Sequence, residues 1–98
     1  MLEARDIALE ALAVAKKNFG DENVARVDVK PMVDLDGDDA WRVLIVLQPD
    51  AVDKIGGDAV LDNLVQIHER LRKKGDERLP FVQFATEEEL RELGDLKS

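Results

Sequence analysis

The sequence predicts an α+β domain, a two-layer α/β sandwich with a three-stranded mixed sheet of order 1-2-3. Three observations lead to this fold class. An amphipathic helical segment opens the chain, two apolar-alternating runs flank Asp36-Gly37-Asp38, and a second helical segment precedes a third short apolar run. A helix between two strands of one sheet normally makes a right-handed crossover with the strands parallel, so the third strand should lie beside the second. The expected order is α-β-β-α(α)-β-α, in a single domain over residues 1–98.

The first element is predicted to be a helix from about Glu3 to Asn18, because strong helix formers dominate this segment. Gly20 is suited to end the helix, and Lys16 and Lys17 lie where the helix dipole favours cations. Apolar residues at helical spacing identify the face that should be buried: Ile7, Ala8, Ala11, Leu12, Ala15 and Phe19.

The two runs around Asp36-Gly37-Asp38 predict a β-hairpin. Polar and apolar residues alternate in the first run, which is typical of a half-buried strand. A three-residue loop, 36–38, pairs Val33 with Trp41, whereas a two-residue loop would pair Val33 with Ala40 and turn one apolar set to the wrong face. The apolar face of the first strand comprises Val27, Val29, Pro31, Val33 and Leu35.

The hairpin also predicts the positions of its strands in the sheet. Pro31 donates no amide hydrogen bond, which favours an edge position for the first strand. The second run is apolar on both faces, as expected of a central strand. The first two helices should cover the face with Val33 and Trp41, and the opposite face should be partly open. Apolar residues expected to be exposed there, as a partner surface, are Met32, Leu44 and Val46.

The second half of the chain predicts a turn, a helix, a strand and a last helix. Pro49-Asp50 should stop the second strand and begin a short turn through Ile55, and Gly56-Gly57 should separate this turn from a helix over about 58–74. A short strand is predicted over Pro80–Ala85. Thr86 and Glu89 have the spacing of a capping box, so a final helix should run to about Leu93, followed by a frayed tail, 94–98.

Composition limits the classes of function. The chain has 22 acidic and 14 basic residues and a net charge of -8, which disfavours attraction to nucleic acid or to an anionic membrane. It has no cysteine and a single histidine, so neither thiolate chemistry nor a zinc site is expected. Neither a signal-peptide pattern nor a membrane-spanning run is recognised, and a cytoplasmic location is the expectation. No cofactor is predicted.

The acidic run Asp34–Asp39 is the strongest candidate for metal chemistry. An EF-hand loop beginning at Asp34 would need glycine at the position of Asp39 and glutamate at the position of Ile45, so this interpretation fails. A hairpin turn with solvated acids is favoured, because Asp and Gly are typical turn residues. A magnesium-dependent nucleotide-transfer enzyme using Asp34 and Asp36 stays as an alternative.

Two other groups of residues have chemical interest. His68 lies near the apolar stripe of the second helix, but the sequence offers no cysteine or second histidine to pair with it, and a structural role is favoured. Cations cluster at the end of the same helix, where the helix dipole also favours them. They are Arg70, Arg72, Lys73, Lys74 and Arg78.

Two resemblances add to these patterns. The element order over about Ala4 to Ala85 resembles that of type II KH and BolA-like proteins, although Ile55-Gly56-Gly57-Asp58 stands where KH proteins have Gly-x-x-Gly. This resemblance implies, as an alternative function, a nucleic-acid-associated protein that uses Arg70 to Lys74 of the basic cluster and the Gly56-Gly57 break. Segments 36–43, 75–81 and 84–90 resemble those of short bacterial antitoxin or accessory proteins encoded beside HEPN-type ribonuclease toxins. Such partners often have a minimal nucleotidyltransferase fold, whose Gly-Ser loop this chain lacks.

The function predicted from the sequence is therefore a non-catalytic protein-interaction module, a bacterial regulatory or antitoxin-like subunit. A protein partner is expected, and a homodimer through an exposed sheet edge is a second expectation. Catalytic, cofactor-binding and metal-binding residues are predicted to be absent. The predicted partner-binding residues are Met32, Asp34, Asp36, Asp38, Asp39, Leu44 and Val46.

Overall fold

The computed structural model describes the backbone of residues 2–97 and the side chains of residues 2–93. The predicted order of helices and strands is confirmed. The last helix continues past its predicted end at Leu93, and the predicted fraying at Ser98 lies outside the described residues. Short 3-10 turns cover Asp21–Asn23 and Pro49–Lys54. The main elements are α1 (Ala4–Phe19), β1 (Val24–Val33), β2 (Asp39–Leu47), α2 (Gly57–Lys73), β3 (Leu79–Thr86) and α3 (Glu87–Lys97).

The sheet has the predicted order β1-β2-β3. β1 and β2 are antiparallel, and β2 and β3 are parallel. Pro31 therefore lies in an edge strand, as its missing amide donor predicted, and α2 makes the crossover from β2 to β3. Among residues 2–97, none of the helices combines the length and the apolar character needed to cross a lipid bilayer.

The hairpin register differs from the prediction by two residues. Val33 lies opposite Asp39 and Pro31 lies opposite Trp41, so the loop has five residues, 34–38, and not three. The reason is local: Asp34 closes the turn early, because its amide donates to the Asp38 carbonyl oxygen at 2.9 Å. Both loops have an odd number of residues, and the shift therefore leaves every side chain on its predicted face.

The core lies between the sheet and the first two helices. The rings of Phe19 and Phe84 meet edge to face, with centroids 5.8 Å apart, and so join the end of α1 to β3. Trp41 and Ile45 of β2 are buried beneath the helices, as predicted. The central residues of this core are Ile7, Ala11, Val14, Ala15, Phe19, Trp41, Val43, Ile45, Leu47, Ile67 and Leu71.

The expected exposure of two side chains of the sheet is wrong. Val33 was expected under the helices but is 61% exposed. Ala4 and Ala8 at the start of α1 line a groove with Val27 and Val29. Val33 lies four residues further along β1, about 13 Å away, where the helical layer has ended. Conversely, Val46 on the opposite face was expected to be exposed but is completely buried.

The burial of Val46 has a tertiary cause. Arg26 is its register partner on β1, and the Arg26 guanidinium pairs with Glu87 in the first turn of α3. Because Glu87 follows directly after β3, this ion pair crosses the opposite face of β2 at Val46. The opposite face of the sheet is therefore covered at this end, and Val46 is not available as a partner-binding residue.

A buried ionic network fixes the loop before β3. Asp76 is 3% exposed and accepts a hydrogen bond from the Trp41 indole nitrogen at 3.0 Å. Arg78 donates to both carboxylate oxygens, at 2.9 and 2.6 Å, and also to the Leu2 carbonyl oxygen at 2.8 Å. Its guanidinium carbon lies 4.1 Å from the centroid of the Trp41 ring. The network therefore ties the entry of β3 to the central strand and to the beginning of the chain.

Candidate interaction surfaces

The hairpin tip is a compact turn organised by Asp34. The amides of Asp36 and Asp38 both donate to Asp34 Oδ1 at 2.9 Å, and the Gly37 amide donates to the Asp34 carbonyl oxygen at 3.1 Å. Gly37 has a φ of +85°, which a residue with a Cβ rarely adopts. Four hydrogen bonds to or from one aspartate, including its amide bond to Asp38, therefore fix the shape of the tip.

The turn brings three of the predicted carboxylates together. Their carboxylate oxygens, one from each residue, all lie within 4.8 Å of one another; the residues are Asp34, Asp36 and Asp38. Such oxygens are the ligand type of a divalent cation, but the same arrangement follows from an Asx turn in which Asp34 caps the backbone. The turn hydrogen bonds account for the placement of Asp34, so the cluster by itself is not evidence of a metal site.

The tip also exposes apolar side chains. Leu35 is fully exposed, with a relative accessibility of 106%, and Val33 next to it is 61% exposed. Asp36, Asp38 and Asp39 are exposed around them. A leucine without any packing role on a fixed turn is typical of a contact residue and not of the core.

The seven predicted partner-binding residues do not form one surface. Met32 is half-buried and lies opposite Ala40, close to the tip. Leu44 is half-buried and lies four residues from Ala40 along β2, about 13 Å away. It lines a groove with Leu90 and Leu93 of α3. The structure therefore groups Met32 with the acids of the tip and separates Leu44 and the buried Val46 from them.

The basic cluster is largely engaged within the fold. Glu10 of α1 forms ion pairs with Lys74 and with Arg70, the latter at 3.1 Å. The hydrogen bond from Lys74 is the largest cause of a lowered pKa at Glu10, opposed by partial burial. Arg78 belongs to the network around Asp76. Among the described residues, these contacts leave two of the five cations without an ion pair, which weakens the nucleic-acid interpretation.

Sequence reasoning missed the surface formed by the free edge of β3 and the outer side of α2. A cleft of about 520 Å³ separates the two elements. Leu61 and Val65 of α2 are 61% and 56% exposed, and Leu79 and Phe81 of β3 are 45% and 39% exposed. The cleft is lined by Leu64, Val65, His68, Glu69, Arg72, Leu79, Pro80, Phe81 and Val82.

This surface was missed because the signal was divided between two distant segments. The second helix was expected to cover one face of the sheet, yet its Leu61 is exposed. β3 contains no charged residue, which could have marked it as an unprotected edge. His68 is half-buried in the cleft, with no nucleophile among the residues that line it.

One buried polar side chain was also missed. Asn63 of α2 is completely buried, and neither its Oδ1 nor its Nδ2 atom has a hydrogen-bond partner among the described residues. A buried amide without partners lowers the free energy of unfolding. Asn63 thus marks a weak point of the core.

Comparisons with protein-family models, with curated proteins and with solved structures gave no match.

Proposed function

We propose that this chain is a non-catalytic protein-interaction module, an antitoxin-like regulatory subunit of bacterial type, that binds a basic protein through its hairpin tip. The observation that carries the proposal is the fully exposed Leu35 on a turn fixed by Asp34. A side chain of this size gains free energy when a partner removes it from water. The tip therefore has the character of an apolar anchor.

The fixed shape of the turn supports the same proposal. Association is opposed by the entropy lost when loops become ordered, and a preformed turn reduces this loss. The hydrogen bonds of Asp34 hold Leu35 in place before any partner arrives. The tip can thus enter a pocket without first being ordered.

Charge indicates the chemistry of the partner. The acids around Leu35 belong to a chain with a net charge of -8, so both the local and the overall field favour a basic surface. The expected partner has an apolar pocket surrounded by lysine or arginine. The resemblance of segments 36–43, 75–81 and 84–90 to antitoxin-like proteins supports a regulatory role for this contact.

The test is affinity capture of the native partner from the source cells, followed by titration of the purified partner with variants. In the tip variant Asp36, Asp38 and Asp39 are replaced by lysine, and in a second variant Leu35→Ser removes the anchor. The matched control replaces Asp50, Asp53 and Asp62 by lysine, because these acids are also exposed and the net charge changes equally. Circular dichroism verifies that each variant folds.

We expect the tip variant and Leu35→Ser each to weaken binding at least about tenfold, while the control stays close to the wild type. Equal weakening by the tip variant and the control would mean that the overall charge, and not the tip, determines binding. Unchanged affinity in both tip variants would refute the proposal.

A further inference from the structure

The two edges of the sheet differ in how well they are protected from pairing with another strand. β1 carries Arg26, Asp28 and Lys30 on one face and Pro31 near its end. β3, Leu79–Thr86, also carries a proline, Pro80, near its start, but it has no charged residue, and two of its large apolar side chains are substantially exposed. Natural edge strands are usually protected by charges, so an uncharged edge is a surface suited to pairing.

From this contrast and the adjacent α2 face we infer that the chain forms a two-fold symmetric homodimer, in which β3 pairs antiparallel with β3 of a second copy and α2 packs against α2. The result is a continuous six-stranded sheet of order β1-β2-β3-β3-β2-β1. This inference is independent of the hairpin tip and of its proposed partner.

The charge pattern of α2 favours a second copy as the occupant. An exposed or half-buried stripe runs along the helix at intervals of three or four residues, through Leu61, Val65 and His68. Asp58 and Arg72 are exposed at its two ends, seven residues to either side of Val65. In an antiparallel helix pair centred on Val65, Asp58 of each copy therefore faces Arg72 of the other. The stripe is complementary to itself.

The β3 edge permits the same two-fold axis. Pro80 has no amide donor, so on an edge strand its nitrogen points away from β2. Val82 and Phe84 share its parity and direct their amides outward as well, whereas the Thr86 amide is already bonded to Glu89 Oε1 at 3.0 Å. Centred on Val82, an antiparallel pair joins Val82 to Val82 and lets each Phe84 amide donate to the Pro80 carbonyl oxygen of the other copy.

Both centres lie together in the molecule, because Val65 and Val82 line the same cleft. One axis can therefore pass beside both residues. On the opposite face of the sheet this register places Leu79 across from Ala85 and Phe81 across from Gln83, which covers the exposed apolar side chains.

The strip formed by the outer side of α2 and the free edge of β3 is long enough for a standard dimer interface. A standard interface removes about 800 Å² from each partner, which is about an eighth of the 6523 Å² surface of this chain. α2 has 17 residues and β3 has 8, so each element is about 25 Å long. Two chains of charge -8 repel each other at long range, and the uncharged β3 edge allows contact where like charges do not meet.

The test is sedimentation velocity of the full chain over a range of micromolar concentrations. The wild type should sediment at twice the chain mass of 11.0 kDa. Val65→Asp places two carboxylates at the axis and should raise the dimer dissociation constant at least about 100-fold. Leu9→Asp is the matched control, because Leu9 is 63% exposed on α1, away from the strip, and this variant should remain dimeric.

A charge exchange tests the register of the helices. Arg72→Glu places a glutamate opposite Asp58, and Asp58→Arg places a second arginine opposite Arg72, so each variant alone should dissociate about tenfold more readily. An equimolar mixture of the two variants restores both opposite-charge pairs and should form a heterodimer.

A monomeric wild type at high micromolar concentration would overturn the inference, whether or not another protein binds the strip. Equal dimerisation of the Val65→Asp and Leu9→Asp variants would also overturn it, and failure of the mixture to associate would refute the Val65-centred pairing.

Discussion

The buried carboxylate of Asp76 provides the most direct test of how this fold is stabilised. Hydrogen bonds from the Arg78 side chain are the largest cause that lowers the pKa of Asp76 from its ordinary 3.8 to about 2, and the Trp41 indole adds to the effect against the opposing influence of burial. The perturbation is Asp76→Asn, which preserves the shape of the side chain but removes its charge. The amide also replaces one acceptor by a donor that faces other donors.

The size of the effect follows from the pKa. A fall from 3.8 to about 2 corresponds to about 2 kcal/mol of free energy of unfolding at neutral pH. Asp76→Asn should therefore lower the stability by at least about 2 kcal/mol, or about 8–16 °C in Tm for a domain of this size. The neighbouring Glu77→Gln is the control, because Glu77 is exposed and its loss changes the net charge equally.

The pH dependence has a definite sign. Because the folded state has the lower pKa, the unfolded chain binds more protons between about pH 4 and pH 2. The contribution of Asp76 is therefore complete above about pH 5 and is lost as the pH falls toward 2. The difference in stability between the wild type and Asp76→Asn should shrink by about 2 kcal/mol over this range.

Urea denaturation followed by tryptophan fluorescence measures this difference at the network itself, since Trp41 is the sole tryptophan. A difference below about 0.5 kcal/mol at pH 7, or one that is the same at pH 7 and pH 3, would refute the reasoning. Either result would mean that the folded protein stabilises the Asp76 carboxylate no better than water does in the unfolded chain.

Two further predictions concern the core and the hairpin tip. Asn63→Leu preserves the branched shape of the side chain and removes two buried polar atoms that have no partners. It should therefore raise the free energy of unfolding by about 1–2 kcal/mol, and a loss of stability in urea denaturation would contradict this expectation. Millimolar magnesium should leave the Tm unchanged, because the function proposed for the tip involves no bound cation. A rise in Tm that Asp36→Asn abolishes would instead support the nucleotide-transfer alternative.

The sequence by itself determined the elements and their order in the sheet. The alternation around Asp36-Gly37-Asp38, the missing amide of Pro31 and the handedness of a β-α-β crossover are local or nearly local properties. The structure confirms the hairpin, the edge position of the first strand and the parallel third strand that they predicted. The capping box of Thr86 and Glu89 is likewise confirmed by its two hydrogen bonds. It could be predicted because the two residues are only three positions apart.

Only the tertiary structure decided which surfaces remain exposed. Val46 is buried where Arg26 reaches Glu87, 61 positions further along the chain, and the basic cluster is reduced by Glu10, 60 positions from Arg70. Alternation also could not distinguish a three-residue loop from a five-residue loop, since both keep the same faces. A periodic pattern specifies which side of an element is apolar, but exposure depends on what other elements reach that side, and those contacts join residues that are distant in sequence.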